Sequence, residues 1–148
     1  KAGTMPTVVF EKTLYSLKKG GTMTNQELDN DAEAQLETEL ESFTGTENYY
    51  QHWLRLVFTD GVKYLAEKAG AYWLIDAIAS WQAEIQEADR EFELWELIVN
   101  PDSSAVLECR RDSGEPAIVS QKIDYTDFPL KSIKLYVQNG VLMLPSEY

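Results

Sequence analysis

The spacing of apolar and polar positions changes once along this chain, after Ala88, from a helical period to a strand period. Ala32, Leu36, Leu40 and Phe43 recur at helical spacing and predict a helix from Asn30. Asn30 is its expected N-cap, Glu33 the capping-box partner, and Thr44-Gly45 the expected stop. Tyr50, His52, Leu54, Leu56 and Phe58 then alternate with Gln51 and Arg55, which predicts a strand over Tyr49 to Phe58 with one face on the core. Trp53 and Val57 fall on its other face and are expected to need cover too. Thr59-Asp60-Gly61 reads as a turn, with Asp60 as N-cap of a short helix that carries Val62, Leu65, Ala66 and Ala69 to Gly70. Leu74, Ala77, Ile78, Trp81 and Ile85 form the buried stripe of a longer helix, and Asp76, Ser80, Glu84 and Glu87 its wet face.

Beyond Ala88, Phe92 to Val99, Ala105 to Arg111, Ala117 to Asp124, Ile133 to Gln138 and Val141 to Leu144 read as strands. The breaks between them carry turn residues, and Asn139-Gly140 is a strong two-residue hairpin signal. Short turns imply antiparallel neighbours. The expected fold class is therefore α+β, with helices packed on one face of an antiparallel sheet, a meander of about five strands. The first 22 residues change composition at Lys18-Lys19-Gly20-Gly21, and two readings of them stand: a non-native extension, or an edge strand over Thr7 to Leu17. Residues 23–148 are expected to form a single α+β domain.

Charge alters this picture more than overall composition does. The chain carries a formal net charge of −12, and from Met23 onward 9 Lys/Arg face 24 Asp/Glu. Such a surface repels phosphate backbones and anionic lipids, so neither direct nucleic-acid binding nor membrane association is expected. Glu33, Glu37 and Glu41 form an acidic stripe at i, i+4, i+8, with no Lys or Arg between Lys19 and Arg55. No run reaches the length of a membrane span, and the N-terminus lacks a signal-peptide layout. Cys109 is the single cysteine, which rules out an intramolecular disulfide and a cysteine-built metal site. A half-buried strand residue in a reducing, cytoplasmic setting is expected of it.

Several runs together resemble a known family: Phe43-Thr44-Gly45-Thr46-Glu47 with Tyr49-Tyr50, Thr59 to Ala66, Ala71 to Asp76, Tyr125-Thr126-Asp127-Phe128-Pro129 and Leu144-Pro145-Ser146-Glu147-Tyr148. From about Leu36 to the end the chain resembles an uncharacterised bacterial, largely cyanobacterial, family of unknown function. The resemblance implies a small single-domain protein, found also among mobile elements. It supplies no activity, cofactor or catalytic residue.

The candidate chemistry is sparse. His52 is the sole histidine, so a multi-histidine metal site is excluded and any triad must use this one imidazole. Phosphate-binding glycine loops, nucleophile elbows, zinc motifs and complete calcium loops are absent from the sequence, so neither cofactor nor metal is expected. The aromatic side chains are too many for one small core to satisfy their polar tips, and Tyr49, Tyr72 and Trp73 are expected to be partly exposed, rimmed by Glu47 and Asp76. Two functional expectations result. The leading one is a non-enzymatic interaction module docking on a basic protein partner, in its strong form a nucleic-acid mimic. The alternative is a small-ligand-binding protein or enzyme with a pocket around His52, Asp60 and Asp127. Homodimerisation through an uncovered sheet edge is a further expectation.

Overall fold

The computed structural model describes residues 24–148. The N-terminal segment 1–22, with its two readings, lies outside the described residues. The chain divides into two units between Glu37 and Thr38, and helix α1 (Asn25–Glu41) runs through that boundary. Its start corrects the expected one at Asn30. Thr24 is the capping residue: its hydroxyl accepts from Glu27 N–H at 3.1 Å, and the Glu27 carboxylate accepts from Thr24 N–H at 2.8 Å. The same Thr-x-x-Glu reciprocity was available one and a half turns earlier than the Asn30 signal.

The second unit carries a seven-stranded sheet and two more helices, α2 (Asp60–Ala69) and α3 (Tyr72–Trp81). Its strands are β1 (Tyr49–Gln51), β2 (Val57–Thr59), β3 (Phe92–Val99), β4 (Ala105–Arg110), β5 (Ala117–Ile123), β6 (Ser132–Gln138) and β7 (Val141–Met143), in spatial order β1-β2-β7-β6-β3-β4-β5. The α+β class stands, but the five-stranded antiparallel meander is corrected on three counts. Tyr49 to Phe58 is not one strand but a hairpin of two, and β2 pairs with β7 in parallel. The connection from β5 to β6 is also no tight turn. It buries Phe128 and Leu130 while crossing back over β4 and β3, so β6 pairs with β3 instead of β5. Strands β3 to β6 thereby form a Greek key. The Asn139-Gly140 hairpin between β6 and β7 is present, with φ of 51° and 81° at the two turn residues.

One face of the sheet is the core. Trp95, Leu97, Leu107, Cys109, Leu135, Val137 and Leu142 on that face are each at most 2% exposed. Each large side chain so buried contributes roughly 1.5–3 kcal/mol. The end of α3 is tied to this face twice. Trp81 Nε1 donates to Gln121 Oε1 on β5 at 2.7 Å, and Gln82 Nε2 donates to Glu93 Oε1 on β3 at 2.9 Å. Glu93 is fully buried and also accepts from Trp95 Nε1 at 2.7 Å, while its Oε2 has no partner. Burial raises its carboxyl pKa, only partly offset by the hydrogen bonds from Gln82 and Trp95. On the neighbouring strand β4, opposite Trp95, burial and then the charges of Glu93 and Asp89 push the Cys109 thiol up to about 12. Cys109 is thus fully buried where a half-buried residue was expected, and its thiolate is suppressed.

The N-terminus of α2 is closed from far along the chain. Thr59, not Asp60, is the N-cap, its hydroxyl accepting from Val62 N–H. A short 3-10 turn, Pro145–Glu147, brings the Glu147 carboxylate to this point. There it accepts from the Thr59 hydroxyl at 2.6 Å, from Gly61 N–H at 3.1 Å and from Leu144 N–H at 3.0 Å. At the other end, Gly70 adopts a left-handed φ of 62° and caps the helix through Ala66 O, as glycine at this position does most cheaply.

Candidate functional site

Strands β1 and β2 form an edge hairpin whose turn lacks glycine, proline and asparagine. The turn closes instead through His52 N–H to Leu56 O at 2.7 Å and Arg55 N–H to His52 O at 2.9 Å, with Arg55 at a φ of 73°. The His52 ring locks it. Its Nδ1 accepts from Leu54 N–H at 3.0 Å, which leaves the ring proton on Nε2, facing Asp76 Oδ1 at 2.6 Å. Both ring nitrogens are therefore engaged, and the imidazole holds the turn. Trp53 stacks beside the ring at 5.6 Å between centroids and is itself 81% exposed. That corrects the expectation that Trp53 needs cover: the hairpin reverses the chain and points it into solvent.

A continuous set of contacts leads from this tip along the edge. Asp76 and Tyr72 lie one turn apart on α3, and Tyr72 is 45% exposed. Partial burial, then the neighbouring Glu67 charge, raises the Tyr72 hydroxyl pKa against the opposing pull of Lys63. Lys63 pairs with Glu67 at 3.4 Å and lies 5.0 Å from the centroid of Tyr50. Tyr50 donates its hydroxyl to Asp60 at 2.9 Å. Tyr49, alternating to the opposite face of β1, is 64% exposed, and Trp73 is half-buried, the partial exposure expected of it.

Asp60 is a hub for the loop that precedes β1. Its carboxylate accepts from the backbone N–H of Glu47 and Asn48 at 3.0 and 3.1 Å, and from the Asn48 side chain. Its own N–H donates to the Thr46 hydroxyl at 2.9 Å. Partial desolvation pushes the carboxyl up, but the bonds from Tyr50, Glu47 and Asn48 together outweigh it and hold the pKa at about 2. The loop, β1 and α2 enclose an open cleft of about 450 Å³ walled by Phe43, Tyr50, Asp60, Lys63, Tyr64 and Glu67.

Glu33, Glu37 and Glu41 are on α1, the first half-buried and the other two exposed. Asp127 is exposed in the β5–β6 connection, whose backbone is held by Thr126 N–H to Ser103 O at 2.8 Å. His52, Asp60 and Asp127 are not brought together. The first two stand at opposite ends of the short hairpin strands, and the third follows the strand at the opposite sheet edge. Among the described residues no three His, Cys, Asp or Glu side chains are grouped as a metal requires, and no helix is long and apolar enough to cross a membrane. Lys63 and Glu147 were not singled out by the sequence. A lysine four residues before a glutamate is an ordinary helix pair, and nothing local marks a carboxylate that acts on a residue 86 positions away.

With this geometry in place, comparison with known proteins adds one finding. The model of a family of unknown function, DUF6876, matches residues 34–148. No curated protein and no solved structure matches the chain.

Proposed function

The chain belongs to that family, which brings no assigned activity, and from its surface we propose that it is a non-enzymatic interaction module docking an acidic, aromatic edge on a basic protein. The observation that carries this reading is Trp53, 81% exposed at the tip of a hairpin that His52 and Asp76 hold in place. Leaving so large an apolar surface in water forfeits on the order of 2–3 kcal/mol that burial in a partner recovers. Tryptophan and tyrosine are also the residues that most often dominate binding energy at interfaces. Here Tyr72 lies one helical turn from Asp76 beside the tip, Tyr49 is exposed at the far end of β1, and Asp76, Glu67 and Glu47 supply carboxylates along the edge.

A net charge of −12 steers such a face toward a positive surface and away from nucleic acid. In the strong form of the proposal, the carboxylates stand where phosphates would on a DNA- or RNA-handling enzyme. Placement of His52, Asp60 and Asp127 at separate points lends no support to a shared small-ligand pocket. Affinity capture from the source cell tests the reading. The wild-type protein should retain a basic, nucleic-acid-handling partner, with retention falling steeply as salt shortens the screening length below about 10 Å. Trp53→Ala should lose that partner while staying folded. Capture that ignores salt, or that survives Trp53→Ala undiminished, overturns it.

A further inference from the structure

We propose that the cleft between β1, α2 and the 42–48 connection receives one basic side chain, a lysine or arginine, from the protein partner, and that Lys63 occupies this place when the partner is away. This rests on the docking reading and deepens it by naming where the partner's positive charge is taken up. The walls are suited to a cation. Phe43 and Tyr64 lie 5.3 Å apart between ring centroids, and Tyr50 stacks on Phe58 at 5.6 Å, so its ring is held from behind. The face of an aromatic ring carries negative potential, and a cation within about 6 Å of its centre is attracted. Lys63 Nζ already sits there, 5.0 Å from the Tyr50 centroid.

Charge at the site is out of balance in the direction that favours a second cation. Every side-chain or backbone donor bonded to Asp60 is neutral, so its negative charge is oriented but not cancelled. Asp60, Glu67 and Glu47 line the cleft with Lys63, while Lys68 stands over the Tyr64 ring, 5.6 Å from its centroid, and is not itself a wall, so carboxylates still outnumber cations. An anionic ligand would meet three carboxylates, whereas a guanidinium or ammonium finds two rings and an uncancelled charge. Lys63 is also easily moved. Its ion pair with Glu67 joins two side chains that are 38% and 47% exposed, and such surface pairs hold weakly. A guest cation can therefore take the Tyr50 face while Lys63 swings outward with Glu67.

The probe is the peptide acetyl-Gly-Arg-Gly-amide, titrated at low salt into the folded protein and followed by nuclear magnetic resonance. Saturable shifts should appear in the ring signals of Phe43, Tyr50 and Tyr64, and the citrulline peptide, equal in shape but neutral, should produce none. Lys63→Gln should tighten binding by about two- to five-fold, the range of an exposed cation–π contact. Lys122→Gln makes the same charge change at an exposed position on β5 and should leave affinity unaltered. Tyr50→Phe keeps the ring face and should still bind, which guards against a Tyr50→Leu variant that merely loosens the hairpin. Equal responses of Lys63→Gln and Lys122→Gln reduce the effect to net charge and overturn the cleft. Shifts confined to Trp53 overturn the cleft but leave the docking reading standing, whereas a protein that captures no basic partner at all removes the docking reading itself.

Discussion

Replacing Glu147 by alanine removes a carboxylate that ties three separate groups together: the Thr59 hydroxyl, Gly61 N–H and Leu144 N–H. Thr59 is 2% exposed, and the Gly61 amide belongs to a buried residue at the first turn of α2. A hydrogen bond to a charged group is worth about 1.5–3 kcal/mol when buried. Glu147 itself is only half-buried, so water can replace part of what is lost, and a value near 1 kcal/mol per bond is appropriate. The expected loss is roughly 3 kcal/mol, a sizeable part of the 5–15 kcal/mol typical of a whole domain.

Urea denaturation measures it: the midpoint should fall with the slope unchanged, because the surface exposed on unfolding is the same. Glu147→Gln retains one acceptor and should lose about half as much. Coupling provides an independent check. A Cβ on Gly61 would lie 2.6 Å from Glu147 Oε1 and 2.6 Å from Leu144 Cδ1. Gly61→Ala should therefore destabilise the wild type, but cost distinctly less once Glu147 is alanine. A loss below about 1 kcal/mol for Glu147→Ala, or strict additivity with Gly61→Ala, would refute the claim that this carboxylate clamps the helix entrance.

Three further outcomes follow from groups described above. Asp60 has its pKa lowered from 3.8 to about 2, so its stabilisation is present above the unfolded value and lost as pH falls through 2. Thermal melts between those limits should drop less for Asp60→Asn than for the wild type, and equal drops would exclude the carboxylate hub. Glu93 has its pKa raised by burial, so its contribution is complete at low pH and disappears as pH rises through the folded value. Glu93→Gln should gain on the wild type as pH rises above the unfolded value of 4.5, and a difference that does not change with pH would contradict a buried ionisable group. Trp53→Ala should leave stability within about 0.5 kcal/mol while removing the most readily quenched part of the tryptophan fluorescence.

How much of this could be read from the chain depends on the reach of each interaction. Strands β3 to β7 were legible because alternation and turn residues are local, and their bounds agree within about two residues. The hairpin at Tyr49 to Phe58 was not, for a geometric reason. Tyr50 pairs with Phe58 and Gln51 with Val57, so even positions face even positions after the reversal. Alternation therefore looks the same for a straight strand and a folded one, and the turn between uses His52 in place of the usual turn residues. Phe128 and Leu130, apolar in a segment otherwise marked by turn residues, were the signal for the crossing connection. The edge site was partly visible. Tyr49, Tyr72 and Asp76 lie on it, whereas Trp53 was concealed by the misread strand and Lys63 by being an ordinary helical cation. The parallel partner of β2 was beyond reach, since no local pattern selects one distant strand over another.

That parallel pairing has a bearing on how the polypeptide matures. Val57 and Phe58 find their neighbours only at Val141 and Leu142, after some eighty intervening positions have been made. While the chain is being synthesised, the first hairpin must wait with the Val57–Phe58 edge of β2 unpaired, and contacts of such long separation form slowly. A nascent chain stalled before β7 should thus present a sticky strand to chaperones, and binding should end abruptly once those last strand residues clear the ribosome.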